Sequence, residues 1–370
     1  METCDALIVG GGPAGSSCAW KLRQHGLDVL VLDKASFPRD KVCAGWITPA
    51  VVQALQLDTE EYARQRVLQP IRAFRTGLIL GGELETRYRN TVSFGIRRCE
   101  FDHYLLQRSG ARTRLGQSLK SLERRGRLWI VNDAVATPLL IGAGGHFCPV
   151  ARSLGAKLGA SEAAVTAKEI EFEMNAQQLA ACPVRADTPE LYFCRDLSGY
   201  GWCLRKGNYL NIGLGREGHE GLADQLGDFC DFLKQRGRIP EDIPDRFMGH
   251  AYLLRGLSAR KLIADGVLLV GDAAGLAYPQ SGEGIRPAVE SGLIAAAVVA
   301  QAAGDYRAQR LQAYRERLSS RLGPEMAATG EMVPGFLRGV LARAFLGNRW
   351  ATRSLVLDRW FLRAHQPALI

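Results

Sequence analysis

The sequence predicts an α/β protein. A discontinuous dinucleotide-binding domain is interrupted by a second, mostly antiparallel β-sheet domain, and a helical C-terminal tail follows. Three observations predict this. An apolar run, Ala6 to Val9, enters a glycine turn, and a helical pattern, a second apolar run and Asp33 come after it. Two more buried-strand patterns that end in glycine lie far along the chain, at Pro138–Gly145 and Gly266–Gly275. The segments between them alternate at period two, most strictly from Glu169 through Ile170, Glu171 and Phe172 to Glu173.

The glycine turn is Gly10-Gly11-Gly12-Pro13-Ala14-Gly15, a Gly-x-Gly-x-x-Gly array. Gly10 allows the tight turn, Gly12 lets backbone N–H groups approach a pyrophosphate, and Gly15 lets helix and strand pack closely. The following helix runs through Cys18, Ala19 and Leu22 to about Gly26, and its positive N-terminal end faces the phosphates. A strand, Val29 to Leu32, closes on Asp33, placed to accept adenosine ribose hydroxyls. Lys34 to Trp46 reads as a loop over the dinucleotide side, because Pro38 and Gly45 break any regular pattern.

Thr48 to Leu57 reads as a helix and Ile71 to Phe94 as strands. A helix opens at Ile96–Asp102, with an apolar stripe of Phe101, Tyr104, Leu105 and Leu106 and with Asp102 in its first turn. A hairpin is expected over Gly116–Val131, strands over 165–215 with a turn at Lys206-Gly207-Asn208, and a helix over Gly221–Gln235. After Gly271-Asp272 comes a glycine-rich loop, Tyr278 to Ile285, then a small-residue helix from Arg286 to about Ala303. The expected boundaries are 1–60, 95–160 and 255–305 for the nucleotide domain, 61–94 and 161–254 for the substrate domain, and 306–370 for the tail.

The chain has 370 residues, 47% hydrophobic, with a net charge of +9. That is enough for two domains and a substantial core. The excess charge is mostly arginine; without a zinc-finger spacing or nucleic-acid motif it reads as a solvated basic surface, and no nucleic-acid partner is expected. The nine cysteines are irregularly spaced with no Cys-x-x-Cys pair, so neither a metal site nor a disulfide framework is expected. Reduced thiols, and a strand that begins almost at Met1, point to the cytoplasm. The longest apolar stretch, Gly292 to Gly304, is short of the ~20 residues needed to span a bilayer.

The set Gly10–Gly15, Asp33, Arg98, Gly142-Ala143-Gly144-Gly145 and Gly271-Asp272 resembles the FAD-dependent oxidoreductases of the aromatic-hydroxylase type. Within them it is most similar to the geranylgeranyl reductase branch, which neighbours the flavin halogenases. The resemblance covers residues 1 to about 310 and implies FAD as cofactor. It implies that Gly10, Gly12, Pro13, Ala14, Gly15, Asp33 and Lys34 hold the adenosine half. It further implies that Arg98 lies along the FAD chain and that Asp272, after Gly271, accepts from a ribityl hydroxyl. The loop with Gly282, Gly284 and Ile285 would face the flavin pyrimidine edge, its N–H groups stabilising a reduced flavin. Where the family usually reads Gly-Ala-Asp-Gly, this chain has Gly144, which the resemblance still implies lies against the cofactor, while the acid's role is not carried over.

Lys41, Cys43, Ala44 and Gly45 lie in a loop that the branch keeps near the isoalloxazine ring, where the Cys43 thiol could deliver a proton; the ordinary alternative is a small buried hydrophobe. Tyr200 and Trp202 resemble part of a substrate-pocket motif, although Cys203-Leu204 stands where Phe-Pro is usual. No second glycine fingerprint is present, so an external reductant, NAD(P)H or a protein donor, is expected.

The leading expectation is a reductase of carbon–carbon double bonds in an isoprenoid or similar apolar substrate, with hydride from flavin N5. The alternative is a flavin monooxygenase or oxidase of secondary metabolism acting on an aromatic or apolar substrate. The third is a flavin-binding protein without turnover. Phe336 to Leu346 alternates apolar residues and arginine at helical spacing, as either a peripheral membrane helix or a helix packed on its own domain would.

Overall fold

The computed structural model describes residues 1–157, 162, 164–218, 221–256, 260–323 and 346–369. The chain divides into two compact units. The first comprises Met1–Asp40, Cys99–Ala163 and Tyr252–Gly330; the second comprises Lys41–Arg98, Ala164–Ala251 and Glu331–Ile370.

The core of the first unit is a six-stranded sheet in the order Ile263–Ala264, Val267–Leu269, Leu140–Gly142, Ala6–Val9, Val29–Asp33 and Arg112–Leu115. All neighbours are parallel except the first pair, which is a hairpin. Ala6–Val9 and Val29–Asp33 are buried throughout, as central parallel strands covered on both faces must be. The edge strand Arg112–Leu115 was not expected, because its Arg-Thr-Arg-Leu pattern reads as polar loop. Helices Pro13–Gln24 and Ile285–Ala302 pack so closely that a Cβ on Gly292 would lie 2.3 Å from the Ala14 carbonyl oxygen. Ile285–Ala302 is the helix expected from Arg286 to about Ala303. It is the one helix among the described residues long and apolar enough to cross a membrane, yet 83% of it is buried inside the protein. A smaller sheet joins Glu2–Thr3, Val135–Thr137, Leu128–Val131 and Leu122–Arg125.

The second unit is built on a seven-stranded sheet in the order Met248–Leu253, Ala164–Glu173, Tyr209–Glu217, Gly199–Lys206, Glu190–Phe193, Ala73–Leu78 and Glu83–Arg87. The alternation along Ala164–Glu173 sorts its side chains by face. Ile170 and Phe172 pack with the helix Leu222–Gln235, whose Leu226, Phe229 and Leu233 are buried there. Glu169 and Glu171 point to the other face, where Asn211 bonds both.

The expected boundaries change. Residues 41–60 and 95–98 belong to the second unit, because Trp46–Ile47 and Leu68–Ile71 both pair with Ser93–Ile96 in a three-stranded sheet. The tail is not a region of its own. Ala308–Leu311 and Ala313–Leu322 belong to the first unit. The helical segment Thr352–Phe361 packs Val356, Leu357 and Phe361 against Trp46, Phe74, Phe193 and Trp202 of the second unit. Residues 336–345 of the expected amphipathic helix lie outside the described residues; Leu346 is buried in that same cluster.

Candidate functional site

In the first unit the parallel register aligns Val9, Gly142, Leu269 and Leu32 in one row. The residues just beyond them are Gly10, Ala143–Gly144, Val270–Gly271 and Asp33, so every glycine turn opens on the carboxyl edge of the sheet, where ligands of such folds sit. Gly10 has φ +115°, and a Cβ there would lie 2.3 Å from the Ala143 carbonyl oxygen; one on Gly15 would lie 1.9 Å from the Gly10 carbonyl oxygen. Gly12 caps the helix that starts at Pro13, and Ala14 is buried behind it. The nearest group to a Gly12 Cβ is the Arg39 guanidinium, at 3.5 Å.

Arg39 was missed in the sequence. It lies 3.2 Å from the fully buried Asp102 carboxylate and 4.7 Å above the Phe37 ring. Its position in the loop after Asp33 was the available signal. Asp102 is corrected with it. The helix begins at Arg98 and its first turn holds Glu100; Asp102 lies one turn in and serves Arg39. Asp33 is buried, and its carboxylate accepts the N–H of Gly11 (2.7 Å) and of Ala35 (2.8 Å), which fixes the glycine turn while leaving further lone pairs. Lys34 is exposed.

The second edge of this cradle is the Gly271–Ala274 turn. Gly271 has φ +60° and donates its N–H to Ser291 Oγ at 2.9 Å. Asp272 Oδ1 lies 3.2 Å from where a Gly284 Cβ would be, so Asp272, Gly284 and the buried Ile285 meet at the N-terminus of helix Ile285–Ala302. The first N–H groups of a helix have no partner within it. Gly282 (φ +67°) differs from expectation: its N–H donates to the Tyr278 carbonyl oxygen at 2.8 Å.

A second residue the sequence did not reveal is Arg260. Its guanidinium donates to the carbonyl oxygens of Ala273 (3.0 Å) and His146 (2.9 Å) and holds Glu162 through both carboxylate oxygens, at 3.0 and 2.7 Å. One buried cation thus ties the Gly144–His146 segment to the Asp272 turn.

In the second unit, Cys43 is half-buried, and its Sγ accepts the Gly45 N–H at 3.4 Å. Gly45 (φ +68°) leaves no room for a Cβ, which would lie 2.4 Å from the Ile96 carbonyl oxygen. Lys206, 1% exposed, donates to the carbonyl oxygens of Ala44 and Ile96, each at 3.0 Å, and pairs with Glu171 at 2.5 Å. Asn211 donates to the Cys43 carbonyl oxygen (3.3 Å), Glu169 (3.4 Å) and Glu171 (3.3 Å), and accepts the Trp202 indole N–H at 2.7 Å.

Trp202 is buried, its ring lying where a Gly213 side chain would be. Tyr200 is half-buried, with its ring 5.3 Å from Phe361 and 5.7 Å from Phe193. Lys41 is half-buried and Arg98 is buried.

Burial pushes the Glu169 carboxyl up to about 8, against a weaker opposing pull from the Cys43 N–H and Lys206. For Glu171 burial acts the same way, but Lys206 and Arg97 outweigh it and hold the group below the usual carboxylate range. Lys206→Met should leave the carbonyls of Ala44 and Ile96 unbonded and the half-buried Glu171 with Arg97 as its remaining cation. A loss of ~2–3 kcal/mol in thermal or denaturant unfolding is expected, since Arg97 and Asn211 still hold the carboxylate. All nine cysteines are free, and among the described residues no three His, Cys, Asp or Glu side chains converge as a metal site.

Residues 8–50 match the profile of an NAD(P)-binding Rossmann-like domain. A digeranylgeranylglycerophospholipid reductase of Methanosphaera stadtmanae is 29% identical over 354 residues, 87% of this chain and 84% of that protein. A geranylgeranyl diphosphate reductase of Rhodobacter capsulatus is 29% identical over 313 residues, 79% of this chain and 74% of that protein. Among solved structures, a geranylgeranyl bacteriochlorophyll reductase-like protein of Thermoplasma acidophilum superimposes with a TM-score of 0.75 at 20% identity, covering 96% of this chain and 99% of that one. A halogenase solved in complex with FAD gives 0.68 at 16% identity, over 86% of this chain and 74% of that one. By these matches the chain is similar in sequence to geranylgeranyl-type reductases and has the fold seen in the reductase-like protein and in the halogenase.

Proposed function

We propose that the protein is an FAD-dependent reductase that saturates carbon–carbon double bonds of an isoprenoid or similar apolar substrate. The observation that carries this is the cradle on the carboxyl edge of the first unit's sheet. Gly12, Arg39 and the N-terminus of helix Pro13–Gln24 fit a diphosphate. Asp33 fits ribose hydroxyls, and Asp272 beside Gly284 fits a polyol chain. When bound, FAD supplies the hydride.

The remaining roles belong to side chains. Tyr200, Phe193 and Phe361 offer an apolar wall in the second unit. The Cys43 thiol delivers the proton that completes the second C–H bond. An external reductant, a nicotinamide nucleotide or a redox protein, restores the hydride. Such substrates reside in lipid, so a peripheral membrane contact of a cytoplasmic protein belongs to this reading; flotation of the full chain with anionic liposomes tests it.

The central test reduces the purified holoprotein anaerobically and adds geranylgeranyl diphosphate. Flavin reoxidation without air, with product mass rising by two hydrogens per double bond, is the expected result. Reoxidation that needs oxygen and inserts it into the substrate would favour the monooxygenase alternative instead.

A further inference from the structure

We propose that the outer face of the tail helix in the second unit, residues 349–361, docks this chain on an anionic lipid surface, with Trp350 as its apolar anchor. The inference rests on the reading of the substrate as an isoprenoid that resides in lipid, and it assigns the membrane contact to one face and to named side chains.

The segment has two unlike sides. Ala351, Val356, Leu357 and Phe361 are buried, and the last three pack into the second unit's aromatic core. Trp350 lies outside, 69% exposed. A single apolar side chain in water needs no explanation by itself. What sets Trp350 apart is the charge around it.

Arg349, Arg353 and Arg359 are exposed on the same segment. The Arg353 guanidinium lies 4.9 Å above the Tyr88 ring, and the exposed Arg89 is the next residue in the chain. The segment carries one acid, Asp358, which accepts the Tyr88 hydroxyl at 2.7 Å and pairs with Arg353 at 3.9 Å. Among the described residues, Arg89, Arg349 and Arg359 have no acidic partner. The face therefore combines a surplus of three cations with one exposed indole. An indole with its apolar body and polar N–H suits the headgroup depth of a bilayer, and arginines beside it suit anionic headgroups.

Charge and position both favour lipid over the other occupants of such a face. A second copy docked symmetrically here would set arginines against arginines, which like charges oppose. Near an anionic surface each arginine strengthens binding roughly fivefold, so the three unpaired ones together contribute about 100-fold. The inner side of the same segment belongs to the apolar wall: the Phe361 ring lies 5.3 Å from Tyr200 and 6.1 Å from Phe193. One helix thus carries the membrane-facing residues outside and part of that wall inside, so a substrate that leaves lipid has a short way to go.

The test uses the full-chain holoprotein with vesicles of phosphatidylcholine alone or mixed equally with phosphatidylglycerol. Wild type should float with the mixed vesicles, stay behind with the neutral ones, and release as salt rises to about 0.5 M. The triple variant R89Q/R349Q/R359Q removes only unpaired surface charge, so it should melt within about 2 °C of wild type and bind the mixed vesicles about 100-fold more weakly. Trp350→Phe isolates one indole: its emission, taken as wild type minus W350F, should shift to the blue on mixed vesicles and be quenched by lipids brominated in their acyl chains.

Wild-type flotation that the triple variant matches, with Trp350 emission untouched by brominated lipid, would overturn the proposal and leave the membrane contact to another surface. A wild type that binds neither vesicle would remove the membrane contact altogether. A dimer in sedimentation that the triple variant dissociates, without vesicle binding, would give the face to a second copy and overturn the proposal as well. The reductase reading fails separately, by absence of alkene reduction in detergent solution, where no bilayer is present.

Discussion

Arg260→Met is expected to lower the melting temperature by roughly 6–20 °C. The guanidinium is the buried partner of Glu162 and of the His146 and Ala273 carbonyls. Methionine fills much of the same volume but removes the cation that Glu162 and the two carbonyls share. Breaking a buried pair in this way costs ~3–5 kcal/mol, and a unit of this size loses about 2–4 °C per kcal/mol. Arg260→Lys restores charge without the planar fork, so it can satisfy Glu162 or the carbonyls but not all at once. The lysine variant should fold, melt between the other two, and bind FAD at least ~10-fold more weakly, because the Asp272 turn is no longer tied to the Gly144–His146 segment. Calorimetry of the apoprotein and FAD titration by fluorescence read the two effects apart. A lysine variant with wild-type FAD affinity would show that the clamp serves stability alone.

The nucleotide-binding sheet was legible because its signal is local. An apolar run, a glycine array and an acid lie within one stretch of chain, and each glycine does its work against atoms a few residues or one strand away. Period-two alternation located the second unit's sheet for the same reason, since burial on one face is written directly into neighbouring residues.

What stayed hidden depends on residues brought from afar. Arg260 meets His146 and Glu162 across about a hundred positions, and no local pattern marks it. Asp102 was read as serving the first turn of its helix, but Glu100 holds that place and Asp102 pairs with Arg39 from the preceding loop. Gly282 looked like a free donor, yet its N–H closes its own loop on Tyr278. Trp202 was read for a pocket, and it lies on Gly213 with its N–H on Asn211; a glycine opposite an aromatic residue on the next strand was the sign. The helix Ala176–Ala181 was legible and passed over, since Asn175 and Gln178 form a complete capping box.

Gly12→Ala should abolish most FAD binding while leaving the apoprotein within about 1 kcal/mol of wild type. The reasoning turns on what each glycine is for. An alanine at Gly15 would put its Cβ 1.9 Å from the Gly10 carbonyl oxygen, so strand and helix would have to separate. Gly15→Ala should therefore lose stability and cofactor together, and a loss of both says little about the ligand. Gly12 is different. Its φ of −76° suits any residue, and the nearest atom to an added Cβ belongs to the flexible end of Arg39, at 3.5 Å. Exchanging glycine for alanine at a helix N-cap costs at most about 1 kcal/mol. Nothing within the chain therefore requires glycine here; the missing side chain leaves space beside a helix N-terminus and a guanidinium, where the backbone can approach a diphosphate. An apoprotein melt within about 4 °C of wild type, with an FAD dissociation constant at least ~10-fold higher, is the expected pair of results. Unchanged FAD affinity in Gly12→Ala would mean that the diphosphate does not lie on this turn, and the cofactor assignment would fall with it.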